Sequence, residues 1–84
     1  MYYVYVLLLE DKTTYIGYTK DLKARYNQHR LNQVQSTKGR NPELVYYEAF
    51  KSHKDAMARE SKIKQGQSRR HLISRIQNSI HLYE

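Results

Sequence analysis

The 84-residue sequence predicts an α+β domain: a small three-stranded antiparallel sheet flanked by helices, in the order ββαβαα. Three observations predict it. Residues 2–9, 14–18 and 43–50 are short runs rich in tyrosine, valine and leucine, as strands are. The first two runs are separated by four polar residues, too few for anything but an antiparallel hairpin. The remaining stretches carry helix-capping residues followed by apolar positions at helical spacing.

Taken in order, MYYVYVLLL has no helical period and reads as a buried strand. Glu10, Asp11, Lys12 and Thr13 form the turn, which lacks the usual glycine, and Thr14 to Tyr18 resumes the sheet. Gly17 leaves a side chain missing at a strand end, a mark of close approach by a backbone or a ligand. Asp21 is placed to cap a helix running to about Gln33. VQSTKGRNP over 34–42 is a polar loop, and ELVYYEAF over 43–50 is the third strand. Ser52, with Asp55 three residues on, opens a second helix that Gly66 is expected to stop. A third helix from about Ser68 carries the stripe Leu72, Ile73, Ile76 and Ile80.

Length supports a single domain over residues 1–84, with a thin core of about 60% buried surface. Fifteen lysines and arginines against eight acids give a net charge of +7, which favours a polyanionic partner. Cysteine is absent, excluding disulfides and thiolate metal sites and fitting a reducing cytoplasm. The apolar N-terminal run is far shorter than the ~20 residues a membrane span needs, so no membrane partner is expected.

Candidate chemistry centres on a few polar residues. Glu60 has Ala56, Met57, Ile63 and Lys64 three or four positions away, so it is expected to project toward the core side of its helix. A carboxylate there needs a cation, either a base in an ion pair or a hard divalent metal that keeps several waters. Arg25 and His29 share a helix face by i, i+4 spacing. Arginine grips phosphate with paired hydrogen bonds, and histidine moves or orients a proton; a plain solvated basic face fits the spacing equally. Tyr3, Tyr5 and Leu7 share one strand face, and Tyr15 on the partner strand can lie near Tyr5. Their hydroxyls suit either core packing or the handling of a water or a phosphate. His53, His71 and His81 lack metal-ligand spacing and read as surface residues.

Taken together, Tyr5 within Val4-Tyr5-Val6, then Tyr15-Ile16-Gly17, Arg25, His29 and Glu60 resemble the GIY-YIG nuclease superfamily, above all its small single-domain bacterial members. The second signature is intact, whereas VYV stands in place of GIY. TKGRNPELVYYEAF and ARESKIK are similar to stretches of those members, with Ser36 where many have an aromatic. The resemblance runs from about Tyr2 to Ile76. It implies a phosphodiester hydrolase in which Tyr5 and Tyr15 are the signature tyrosines, Arg25 binds phosphate and His29 lies one helical turn on. Glu60 would be the ligand of a single Mg²⁺ or Mn²⁺.

The expected function is therefore a metal-dependent endonuclease. Its substrate would be DNA in preference to RNA, in repair or recombination intermediates, with a homodimer or larger repair complex as the assembly. A nucleic-acid-binding module of the same fold that cuts weakly or not at all is the alternative. Lys20, Lys23, Arg30, Lys38, Arg40 and Lys64 are the expected backbone contacts, with Lys62, Arg69, Arg70 and Arg75 adding charge.

Overall fold

The computed structural model describes residues 1–80; His81 lies outside them. Strands β1 (Tyr2–Leu8), β2 (Thr14–Thr19) and β3 (Glu43–Phe50) form an antiparallel sheet in the order β2-β1-β3, with β1 central. Between β2 and β3 lies α1 (Leu22–Arg30), and after β3 come α2 (His53–Ile63), α3 (Gly66–Arg75) and the short α4 (Gln77–Ile80). No helix among the described residues is long and apolar enough to cross a membrane.

Strand alternation divides the core in two. Val4, Val6, Leu8 and Ile16 face α2, α3 and α4, meeting Ala56, Ile63, Leu72, Ile76 and Ile80. Tyr5, Leu7 and Leu9 face the other way, toward Leu22 and Tyr26 of α1. Both faces of the sheet are thus covered, which explains why β1 is apolar at nearly every position. A bulge opposite Val6 and Leu7 turns both Val45 and Tyr46 onto the α2 side.

The turn without glycine closes by a different device. Lys12 takes a left-handed φ of 71° and Asp11 accepts from the Thr13 amide (3.1 Å) and hydroxyl (2.6 Å). Helix α1 starts as expected, with Asp21 accepting from the Ala24 amide at 3.1 Å, but ends at Arg30 rather than near Gln33. Asn32, at φ 60°, adopts the left-handed conformation, and the amides of Asn32 and Gln33 bond back to His29 and Gln28. Asparagine here does the work usually given to glycine.

Two helix boundaries differ from expectation. Gly66 is the first residue of α3, not the stop of α2; α2 closes at Lys64, and Gln65 caps the next helix. Of the apolar stripe of the last helix, Leu72, Ile76 and Ile80 are buried and Ile73 partly so, yet the chain breaks at Ile76, whose φ of −113° separates α3 from α4.

Candidate active site

The register of β1 against β2 pairs Tyr5 with Gly17 and Leu7 with Tyr15. Directly paired residues share a sheet face, so Tyr5 and Tyr15 become diagonal neighbours with ring centroids 6.3 Å apart. Helix α1 lies over this face and brings in His29, edge-on to Tyr5 at 5.6 Å and to Tyr15 at 5.2 Å. The Tyr5 hydroxyl and His29 Nε2 are 2.8 Å apart, and His29 Nδ1 is 2.8 Å from the Thr37 hydroxyl. Tyr5, His29 and Thr37 are all buried, and their polar atoms satisfy one another.

Gly17 makes this packing fit. A Cβ there would lie 2.3 Å from Cζ and Oη of Tyr5, closer than atoms can approach. The close approach expected at Gly17 is thus made by a side chain of the protein itself.

Arg25, one turn before His29, donates from Nη1 to Gln28 Oε1 at 2.9 Å, and the influence of the Tyr5 phenol holds the guanidinium charged even more firmly than usual. Burial pushes the Tyr5 phenol up; Arg25 opposes that, while Tyr15 and the Glu60 charge add to it. Burial and then Arg25 lower His29 to about 4. His29 is therefore uncharged at pH 7. It is not on a solvated helix face.

Glu60 comes from α2, on the opposite side of the sheet from α1. Ala56 and Ile63 are buried as expected, but Met57 is 49% exposed, so Glu60 sits at the edge of the core and not within it. Its side chain is 24% exposed and pairs with Lys64 at 3.5 Å across one helical turn. The Glu60 charge is the smallest of the influences that raise the Tyr5 and Tyr18 phenols. No group of three or more His, Cys, Asp or Glu residues converges among the described residues. A site with one carboxylate suits a hard cation that keeps its waters and takes further oxygens from phosphate, not zinc.

Next to Glu60, α2 is tied to the sheet by an interaction the sequence hid. Arg59 Nε and Nη2 donate to both oxygens of Glu48 at 2.9 and 2.8 Å, and the Tyr46 hydroxyl donates to the same carboxylate at 2.6 Å. Burial pushes the Glu48 carboxyl up, but the bonds from Arg59 and Tyr46 outweigh it and hold the group below its usual range. This forked pair fixes α2 against β3.

The basic residues separate into free and engaged. Lys20, Lys23, Arg30 and Lys38 are exposed, though Arg30 Nη1 donates to Asn27 Oδ1 at 3.2 Å. Lys20 and Lys23 border a groove of about 470 Å³ with Tyr3, Tyr26 and Tyr47. Lys20 also joins Arg25, Tyr2, Tyr18 and His53 around an adjacent open groove of about 700 Å³. Arg40 is committed to Asp11 at 2.9 Å and to the Ser36 carbonyl at 3.4 Å, strapping the 35–40 loop to the hairpin. Lys64 is paired with Glu60, and Arg69 donates to the Thr14 hydroxyl (2.7 Å) and carbonyl. Sequence reasoning missed Thr37, because a lone threonine in a polar loop carries no signal, and it left His53 on the surface without its groove.

Against known proteins, a GIY-YIG catalytic domain matches residues 1–72. A UPF0213 protein from Pediococcus acidilactici is 38% identical over 82 residues, covering 93% of this chain and 83% of its own. One from Streptococcus agalactiae is 45% identical over 65 residues, 75% of this chain and 74% of its own. The solution NMR structure of a UPF0213 protein from Bacillus halodurans superposes with a TM-score of 0.57 at 34% identity, covering 88% of this chain and 84% of that one. With its three-stranded sheet, its paired signature tyrosines and this match over most of its length, the chain belongs to the GIY-YIG family of nuclease-type domains.

Proposed function

We propose that the protein is an endonuclease that hydrolyses phosphodiester bonds in DNA with the help of one Mg²⁺ or Mn²⁺. The observation that carries this is the meeting of Tyr5, Tyr15 and His29 over Gly17, with Arg25 one turn before His29 on the same helix. Arg25 binds the scissile phosphate and offsets charge that builds on its oxygens in the transition state. His29 stays neutral and fixes the Tyr5 hydroxyl. Tyr15, half-buried, faces the same space and orients a water for attack. Glu60 is the residue that would hold the cation, which supplies Lewis-acid stabilisation of the departing oxygen. Lys20, Lys23, Arg30 and Lys38 provide sequence-independent contacts to the flanking backbone.

In this proposal the substrates are repair or recombination intermediates, and the cysteine-free chain suits the reducing cytoplasm. A homodimer or a larger repair complex is the proposed assembly; β3 leaves one sheet edge open, with Tyr47 53% exposed beside it.

The test is nicking of supercoiled plasmid in Mg²⁺. The native chain should nick, whereas Glu60→Ala and Arg25→Ala should each lose at least a hundredfold in rate. Equal nicking by Glu60→Ala would overturn the assignment of the metal ligand. Salt-sensitive binding without nicking by the native chain would favour the non-cutting module.

A further inference from the structure

The chain of hydrogen bonds from Thr37 through His29 to Tyr5 has a direction, and that direction decides what Tyr5 offers to a substrate. Each of the three groups carries one proton that can be placed along it: the Thr37 hydroxyl, one imidazole nitrogen, and the Tyr5 hydroxyl. Two contacts join them, so one proton is left over at one end. If His29 carries its proton on Nδ1, it donates to Thr37 and accepts from Tyr5, and the leftover proton is that of Thr37. If it carries the proton on Nε2, Thr37 donates to Nδ1, Nε2 donates to the Tyr5 oxygen, and the leftover proton is that of Tyr5.

The two ends are not equivalent. Thr37 is 0% exposed, and among the described residues its hydroxyl has His29 Nδ1 as its one partner. A proton left there would be a buried donor with no acceptor, which costs about 1–3 kcal/mol. Tyr5 is itself only 1% exposed, but its hydroxyl lies over Gly17, where no side chain fills the space, and half-buried Tyr15 is its diagonal neighbour. A proton left at that end has the Tyr15 side of the site to point toward.

We infer that Thr37 is a positioning residue: its hydroxyl donates to Nδ1 of His29, fixes the Nε2–H tautomer, and thereby turns the Tyr5 O–H toward the reaction side as a hydrogen-bond donor. The Tyr5 oxygen then receives His29 Nε2–H on one lone pair and faces the Arg25 guanidinium with the other. Tyr5 cannot in that state also accept a proton from water, so of the two signature tyrosines it is the donor to phosphate. This inference rests on the proposed nuclease reading for its consequence, but not for its tautomer.

Two-bond ¹H–¹⁵N correlation spectra of the imidazole at pH 7 test it on the whole protein without substrate. The native spectrum should show His29 protonated on Nε2, and Thr37→Ser should preserve that pattern. Thr37→Val should lose it, giving mixed tautomers, and should lower the nicking kcat roughly tenfold at unchanged KM while Thr37→Ser keeps the native rate. A native His29 protonated on Nδ1 would overturn the inference, as would an undiminished Nε2–H signal in Thr37→Val. If Thr37→Val does not fold, the native and Thr37→Ser spectra still decide. Absence of nicking by the native chain would remove the nuclease reading and leave the tautomer assignment standing.

Discussion

Gly17 and Tyr5 compete for one volume: a Cβ on Gly17 would sit 2.3 Å from the Tyr5 Cζ and Oη. The ring cannot simply swing aside, because its hydroxyl is bonded to buried His29 at 2.8 Å. Gly17→Ala must therefore push Tyr5 off His29 or distort β2. We expect a loss of about 1–3 kcal/mol in stability, as for other overpacked sites. Nicking should fall much further than the fraction unfolded explains. Urea denaturation alongside a plasmid assay checks both, and native-like values for both would show that β2 yields freely.

His29 makes stability depend on pH. Its folded value of about 4 lies below the 6.5 of an unhindered imidazole, so the unfolded chain binds the extra proton first. The stabilisation is complete above pH 6.5 and is lost as pH falls toward 4. The slope reaches about 1.4 kcal/mol per pH unit and totals roughly 3 kcal/mol over the window. Asp11, held at about 2 by bonds from Thr13 and then Arg40, acts in the same sense but only below its unfolded value near 3.8. Denaturation at pH 7.0, 6.0 and 5.0 should show the decline, and His29→Gln should flatten it.

The hairpin turn carries strain that one substitution can relieve. Lys12 has a φ of 71°, a conformation that glycine adopts without the steric cost a Cβ imposes. Lys12→Gly is expected to raise stability by up to about 1 kcal/mol, read as a higher urea midpoint at unchanged slope. The amide of Lys12 bonds to the Leu9 carbonyl at 2.9 Å and should persist in the variant.

These cases also show which features the sequence made legible. Strand runs, the Asp21 and Ser52 caps and the tyrosine face depend on local pattern, and the structure has them where the pattern puts them. Asn32 and Lys12 replaced glycine at left-handed positions, so the end of α1 and the type of turn had no compositional mark. Gly66 resembled a helix stop because glycine is common there, but here the chain had already turned at Lys64 and Gln65. Tyr5 and Tyr15 could be placed together from hairpin register alone. The burial of His29 could not, because it depends on Thr37, eight residues on and across an irregular loop. Arg40 read as a free cation because its partner Asp11 is 29 residues away in sequence.

The forked pair of Arg59 and Glu48 is expected to set the aim of Glu60. Their side chains are 26% and 19% exposed, so the pair is shielded enough to matter without being fully desolvated. Glu48→Gln removes the charge that Arg59 grips and is expected to cost about 1–3 kcal/mol. It should also lower nicking several-fold at saturating Mg²⁺, since α2 is then free to rotate. A variant with lowered stability but unchanged activity would show that packing of Ala56 and Ile63 alone aims the helix.

Free and engaged cations should separate in salt titrations. Each lysine that neutralises a DNA phosphate contributes about 0.7–0.9 to the slope of log affinity against log salt. Lys20→Ala and Lys23→Ala, at exposed positions bordering the grooves beside Arg25, should each lower the slope by about that amount and leave stability within about 0.5 kcal/mol of native. Arg40→Ala should do the reverse. Its guanidinium is held by Asp11 at 2.9 Å and the Ser36 carbonyl at 3.4 Å, so its loss loosens the 35–40 loop that carries Thr37 while leaving the salt slope alone. Fluorescence anisotropy with a labelled oligonucleotide between 50 and 200 mM salt measures the slopes, and an Arg40→Ala slope reduced as much as that of Lys20→Ala would place Arg40 on the DNA instead.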